Sequence, residues 1–383
     1  GCMLIVTDAE KAKYDVGAEK AFAAAEARNL SKIFVINKTD AENANFGNLF
    51  EELQEIHGNK LCPVVVPFIE DSKIKYIVNF AQNKAYEYKD GKATLVDMPH
   101  SEKLDKMRDM FNESVATASD ELMEKYFAGE PFTEVEALTA LLEGVTEGTL
   151  YPVYACSGAT LEGVDLLLDG LVNLGPSATS KAGEMAIDSN GDEVQLPCDE
   201  NGPLAAICFK TVADPFVGKM SYFKVMTGSL KKDSVLTNLT TGQQEKFAHI
   251  YVMRGKKQLE TDELCCGDIG VTTKLVYTNT NDTLGGTRPY KKIEYPEPFL
   301  CKALVPKAKG DEDKISSGIS KLLEEDLTLR FENNAETKQM LLYGLGEQHL
   351  DVTLSKLKTR FGISIDLTSP IIAYRETIKK SVQ

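Results

Sequence analysis

Lys32-Ile33-Phe34-Val35-Ile36-Asn37-Lys38-Thr39-Asp40 runs from a short β-branched apolar stretch straight into four polar residues. A run of that length and content reads as a strand buried on both faces, with the polar tetrad as the loop at its carboxyl end. Outward from it, Cys2–Val6 has the same buried-strand character, and the Ala-rich stretch Tyr14–Asn29 between the two reads as a helix. On the far side Phe46, Leu49, Phe50, Leu53 and Ile56 step by three and four, the spacing of one helix face, and Cys62–Pro67 is a third strand. Strand–helix–strand alternation predicts a parallel sheet covered by helices, with ligand loops at the strands' carboxyl ends.

Beyond Phe68 the pattern changes. A polar hairpin over Tyr86–Val96 turns at Asp90-Gly91, and three helical segments follow, the last opening with Thr133 and Glu136 at the spacing of a capping box. Leu150–Cys156 then resumes the buried strand, and Leu161, Val164, Leu167, Leu168 and Leu171 recur at helical spacing. The expectation is an α/β domain over 1–175 with an α+β insertion at about 68–149. Residues 176–202 are small and polar and read as a linker. Residues 203–295 show short strands divided by turn chemistry (Thr227-Gly228-Ser229, Thr240-Thr241-Gly242), which suggests a β-barrel. Over 296–370 the order is β-α-β-β-α-β, with Ile315, Ile319, Leu322 and Leu323 on one helix and Leu350, Leu354, Leu357 and Phe361 on the other: a ferredoxin-like sandwich. Residues 371–383 read as the start of a further domain. The fold class is therefore multidomain α/β and β.

Composition sets the outer bounds. The chain has 383 residues, 43% hydrophobic and 26% charged, which is globular composition, and its longest apolar runs fall far short of a membrane span. The 43 Lys and Arg against 58 Asp and Glu leave a net charge of −15, so nucleic-acid binding by broad charge attraction is disfavoured and any such contact needs a local patch. The eight cysteines form no CxxC and several lie in apolar runs, where thiols act as small hydrophobes; with four scattered histidines, this predicts a reducing cytoplasm and no metal site.

The chemistry lies in Asn37-Lys38-Thr39-Asp40. A carboxylate placed as Asp40 is can accept from the ring N–H and the exocyclic amine of guanine, whereas adenine presents the opposite donor pattern there. Asn37 can address the other edge of the base and the Lys38 stem can cover its face. Such a tetrad arises by chance about 0.05 times in a chain this long, so its place after a buried strand is needed to sharpen it. Cys156-Ser157-Gly158-Ala159 follows the last strand of the same unit, and its small residues let backbone N–H groups approach a base oxygen.

Asn37–Asp40 with Ser157-Gly158, Asp214-Pro-Phe-Val-Gly-Lys219, Gly344-Leu-Gly-Glu-Gln-His-Leu350 and Ala373-Tyr-Arg-Glu-Thr-Ile378 together resemble the elongation factor G family, over essentially the whole chain and in that family's order. The resemblance implies a cytoplasmic, monomeric GTPase that moves transfer RNA and messenger through the ribosome, with ribosomal RNA and ribosomal proteins as partners and no membrane. It implies a G domain with an inserted subdomain, a β-barrel domain II and a ferredoxin-like domain III. Asn37, Lys38 and Asp40 match its guanine-specificity motif and Ser157 the serine of the last nucleotide loop; Gly158 stands where the family usually has alanine.

The phosphate loop G-x-x-x-x-G-K-[ST] does not occur in the 383 residues; Gly218-Lys219 and Gly255-Lys256 lack its surroundings, and Asp188–Gly191 and Asp282–Gly285 fit the letters of a switch element in the wrong places. By the family's order the missing parts precede Gly1 and two domains follow Ile378. The expectation is a central segment with a partial G domain: GTP or GDP with Mg²⁺ in the parent protein, none tightly bound here, no catalytic residue and no hydrolysis by the segment alone. Two other readings of the parent are a non-hydrolysing ribosome-binding regulatory module and a tetracycline-resistance-type ribosome protection factor. Of the remaining motifs, Asp214–Lys219 reads as a turn between barrel strands, Glu347 and His349 as capping and packing residues, Lys356, Lys358 and Arg360 as favourable charges at a helix end, and Glu324-Glu325-Asp326 as a solvated helix end.

Overall fold

The computed structural model describes the chain except residues 12, 71–72, 181–182, 215, 308–311 and 377–383. The end of the proposed further domain, with Thr377 and Ile378 of the quoted motif, and Pro215 of the barrel turn therefore lie outside the described residues. The chain divides into two compact units, Gly1–Ser180 and Lys181–Gln383.

The first unit contains, in order, β1 (Cys2–Asp8), α1 (Val16–Ala27), β2 (Ser31–Asn37), α2 (Phe46–His57), β3 (Leu61–Glu70), β4 (Lys73–Asn79), β5 (Lys84–Lys89), β6 (Lys92–Val96), α3 (Glu102–Ala116), α4 (Asp120–Ala128), α5 (Glu134–Glu147), β7 (Tyr151–Ala155) and α6 (Val164–Leu174). One seven-stranded sheet runs β1-β2-β7-β3-β4-β5-β6. β1, β2, β7 and β3 are parallel, and β3 to β6 then continue antiparallel. The inserted strands thus extend the same sheet instead of forming a separate one. Six of the seven residues of β2 are buried, as are all five of β7, because helices cover both faces at the centre. Pro63, which cannot donate to a ladder, sits at a register shift against β7. The β5–β6 turn has φ of 51° at Asp90 and 73° at Gly91, the primed geometry that suits hairpin twist. Thr133 and Glu136 form the predicted capping box on α5. The leucine pattern after β7 overreaches: Leu161 is in the left-handed region at φ 66°, and α6 begins only at Val164.

The second unit opens with a hairpin, β8 (Glu184–Ile187) and β9 (Glu193–Leu196), then β10 (Ala205–Asp214), β11 (Gly218–Thr227), β12 (Ser229–Lys231), β13 (Val235–Thr237), β14 (Gln244–Lys246), β15 (Ile250–Arg254), β16 (Lys257–Thr261), β17 (Glu263–Cys265), β18 (Ile269–Thr273) and β19 (Thr283–Gly285). A six-stranded sheet, β16-β15-β18-β11-β10-β19, and the ribbons β12-β17 and β13-β14 share a core of Phe223, Val225, Leu230, Phe247, Ile250 and Leu284. The stretch read as a linker is partly built into this domain: Ala186 is fully buried beside Ala205, Met226 and Tyr290, and the Ile187 amide donates to the Pro289 carbonyl at 2.8 Å.

Then come β20 (Leu300–Pro306), α7 (Glu312–Glu325), β21 (Arg330–Asn334), β22 (Gln339–Gly344), α8 (Glu347–Phe361) and β23 (Ile365–Thr368), with sheet order β21-β22-β20-β23, all antiparallel. That is the ferredoxin-like order, and Ile315, Ile319, Leu322, Leu350 and Leu357 fill its core. At the helix end Glu324–Asp326, Glu324 is solvated as expected, but the two acids after it are drawn into contacts. The Glu325 carboxylate is 8% exposed and accepts from Arg360 Nη1, while Asp326 Oδ2 lies 2.9 Å from His349 Nε2. The thiol expectation also fails at one place: Cys198 and Cys266 are joined as a disulfide.

Candidate functional site

β1, β2 and β7 run in parallel and end together, so the loops after Asp8, Asn37 and Ala155 meet at one sheet edge. Asn37 is the last residue of β2, and its Oδ1 accepts the Gly158 amide at 3.0 Å, tying the two candidate loops directly. Thr39 makes the second tie. It is buried, and its Oγ1 donates to the Cys156 carbonyl at 3.1 Å. The variable position of the tetrad is therefore a structural anchor. Ser157 is fully buried; its amide donates to the Glu162 carbonyl at 2.9 Å and its Oγ accepts the Thr160 amide at 3.1 Å, which closes the loop on itself.

Lys38 takes a left-handed φ of 59° and is exposed, with Nζ 2.7 Å from Asp8 Oδ2. The hydrogen bond from Lys38 is the chief cause that holds the Asp8 carboxyl below its ordinary range, and the same bond raises Lys38. Asp8 was not among the candidates. Its register opposite Asn37 puts it at the same edge, and the signal in the sequence was a polar Thr-Asp pair directly after the apolar run of β1. Asp40 is exposed and its carboxylate accepts no hydrogen bond among the described residues. Burial chiefly raises the Glu162 carboxyl, and the charge of Asp40 adds to the shift.

The cleft beside this edge has a volume of about 450 Å³ and is lined by Asp90, Gly91 and Ala159 to Glu162. The β5–β6 turn forms its second wall, and Tyr88 Oη, on β5, donates to Asp165 Oδ1 at 2.5 Å. All five predicted residues, Asn37, Lys38, Asp40, Ser157 and Gly158, thus belong to two adjacent loops, with Asn37 and Gly158 in contact. The switch-like letters elsewhere have structural uses. Asp188 Oδ1 accepts the amides of Asn190 and Asp192 in the β8–β9 turn, and Asp282 Oδ2 accepts from Asn238 Nδ2 inside the barrel.

The residues fit a guanine base on chemical grounds: an exposed carboxylate with free lone pairs stands in the loop next to a small-residue turn. A methyl group at Gly158 would sit 3.7 Å from Asn37 Oδ1, ordinary contact, so the usual alanine would fit the same loop. The pattern G-x-x-x-x-G-K-[ST] of a phosphate loop does not occur in the 383 residues.

Residues 203–287 match the family Elongation factor G domain 2, and residues 295–369 match Elongation Factor G, domain III. The chain belongs to the elongation factor G family. A curated relative, the elongation factor G-like protein of Thermotoga maritima, is 35% identical over 367 residues, 95% of this chain and 53% of the relative. A solved crystal structure of a Thermus thermophilus protein superposes with a TM-score of 0.81 at 30% identity, over 98% of this chain and 55% of the other. The chain therefore spans about half the length of both. Among the described residues no helix is long and apolar enough to cross a membrane.

Proposed function

We propose that this chain carries the base-recognition loops of a guanine-nucleotide site, and that the elongation factor G-like protein it represents is a translational GTPase acting on the ribosome in the movement of transfer RNA and messenger. The observation that carries the reading is the pairing of an exposed, unpartnered Asp40 with a loop tied to Asn37 through the Gly158 amide. GTP or GDP with Mg²⁺ is the cofactor of the longer protein, with its phosphates held by residues outside these 383. When bound, the nucleotide supplies the phosphoanhydride whose cleavage drives the cycle. This chain's part is to choose the base: Asp40 accepts its two N–H donors and the Lys38 stem covers a face, while the Ser157–Gly158 turn is held against Asn37 beside them. Ribosomal RNA and ribosomal proteins are the partners, and the compartment is the cytoplasm.

The test uses amide NMR shifts of Asp40 and Gly158 with guanosine, adenosine and xanthosine at millimolar concentration. Guanosine should move both amides and adenosine neither. Xanthosine replaces the exocyclic amine by a carbonyl, so Asp40→Asn, which offers a donor, should transfer the response from guanosine to xanthosine. Equal responses to guanosine and adenosine would exclude the base-recognition reading. The translational part is tested separately, by the size of the native protein in its source cells and its GTP turnover with and without ribosomes. A band well above 42.1 kDa with ribosome-stimulated turnover is expected. A native protein of 42.1 kDa without turnover would favour the regulatory-module reading instead.

A further inference from the structure

The cross-link between Cys198 and Cys266 joins positions 68 residues apart within the second unit, and the backbone around each cysteine is held in place without it. Beside Cys198, the Asp199 carbonyl accepts from the Gly228 amide at 2.8 Å and from Thr227 Oγ1 at 2.9 Å. Beside Cys266, the Gly267 amide donates to the Val225 carbonyl and the Val225 amide donates to the Asp268 carbonyl, at 2.8 and 2.9 Å. Both cysteines are thus strapped to the end of β11 by hydrogen bonds that do not involve sulfur. Two thiols held in this way keep a high effective concentration for each other after reduction. The reduced state is provided for as well: Cys266 Sγ lies 3.2 Å from the Met226 carbonyl, an acceptor for the S–H that the disulfide lacks. Cys198 and Cys266 are each partly exposed, so small molecules reach them.

We propose that Cys198 and Cys266 form a reversible redox-modification site that reacts with small disulfides and thiols, cationic ones in preference to anionic ones. The charge preference follows from the neighbours. Asp199, Glu200, Glu263 and Asp268 are all exposed and flank the pair, and among the described residues the one cation paired with them is Lys231, with Nζ 4.0 Å from Glu263 Oε1. Carboxylates at the site repel an anionic reagent and concentrate a cationic one, an effect that salt screens. In the oxidising direction the thiolate of one cysteine attacks a sulfur of the small disulfide and expels one thiol. The second cysteine's thiolate then attacks the mixed disulfide and expels the other. Two protein thiols become one disulfide, two electrons pass to the reagent, and the two protons leave with its two thiols. Disulfides in reducing compartments are typically transient or sensing, which suits a site that is stable in both forms. The oxidised form adds a covalent tie from residues 197–202 to the turn between β17 and β18; the reduced form leaves them on their hydrogen bonds alone, which open locally more often.

The experiment uses the whole chain, equilibrated with cystamine and cysteamine or with glutathione disulfide and glutathione, then alkylated and mapped by mass spectrometry. A Cys198–Cys266 peptide should appear and disappear reversibly without denaturant. It should form several-fold faster with cystamine, and the gap should shrink at high salt. Oxidation should slow protease cleavage within 197–202, a difference that vanishes in Cys198→Ser and in Cys266→Ser but persists in Cys265→Ser, with circular dichroism confirming that each variant is folded. Failure to form the cross-link in the native chain at any ratio would overturn the proposal, as would pairing of Cys198 with Cys265. Equal rates for the two reagents would overturn the cationic preference.

Discussion

Glu325 and Arg360 form a bidentate ion pair across the ferredoxin-like domain: both carboxylate oxygens lie on Arg360 Nη1, at 2.7 and 3.0 Å, and Oε1 also accepts the amide of Ala213 at 2.9 Å. Ala213 belongs to β10, so the carboxylate that ends α7 also satisfies a strand amide of the barrel.

Removing that carboxylate leaves a strand amide and a guanidinium without their acceptor in a site where Glu325 is 8% exposed and Arg360 32%. Glu325→Ala should therefore destabilise the second unit by about 3 kcal/mol, in the range for breaking a buried pair. Glu324, whose side chain is 44% exposed and lies 3.3 Å from Lys219, is the matched control, with a loss of less than about 1 kcal/mol on Ala substitution. Urea unfolding measures both, and equal losses would show that Glu325 is an ordinary surface charge.

At this corner residue pattern encodes the core but not the polar contacts. The amphipathic face Ile315, Ile319 and Leu322 was legible because burial follows a helical period, and all three are at most 1% exposed. Glu324-Glu325-Asp326 looked like a solvated end because a run of acids usually is one. Nothing local announces that Arg360, 35 residues on, and a strand of another domain converge on the middle acid. The nucleotide-site loops were legible for the opposite reason: each follows a buried strand, and parallel strands bring their ends together. Asp8 was missed because a single carboxylate after a strand has no motif, and the Cys198–Cys266 pair because sequence spacing says nothing of proximity.

His57, at the end of α2, is packed among Phe22, Phe34, Tyr14 and Tyr151, with ring centroids 4.4 to 5.9 Å away, and its Nε2 is buried without a partner. Burial is the largest influence and lowers its pKa; Glu26 opposes that and Lys32, itself paired with Glu26, adds to it. A lowered pKa means the folded state binds fewer protons than the unfolded one. His57 therefore contributes stability fully above its unfolded value of about 6.5, and that contribution is lost as pH falls through the folded value. The first unit should show a lower urea midpoint at pH 5 than at pH 7, and His57→Phe should flatten that part of the profile. An unchanged slope in the variant would assign the pH dependence to other groups.

Two glycines near the nucleotide loop should respond oppositely to alanine. Gly158 has room for a methyl group, with its nearest contacts at 3.7 and 3.8 Å, so Gly158→Ala should change stability by less than about 0.5 kcal/mol and leave the guanosine response intact. Gly163 has a φ of 71°, and a Cβ there would lie 2.6 Å from the Ala155 carbonyl oxygen. Gly163→Ala should cost more than about 1 kcal/mol, through left-handed strain and the clash together. Thermal unfolding of the two variants side by side checks the contrast, and similar midpoints would remove it.

β1 lies at one edge of the seven-stranded sheet, hydrogen-bonded only to β2 among the described residues, and Val6 on it is 49% exposed. An edge strand offers a row of backbone N–H and C=O groups to whatever reaches it, and its local opening is easier than that of a strand paired on both sides. β2 is paired on both sides and buried, so the two neighbours should separate clearly in hydrogen exchange. Every second amide of Met3–Asp8 should exchange quickly while those of Ser31–Asn37 stay protected, and trypsin should cut at Lys11 or Lys13, just beyond β1, before it enters the second unit. Uniform protection of β1 would mean that its free edge is occupied in solution. Protection that disappears on dilution would identify the occupant as a second copy of the chain, joined edge to edge.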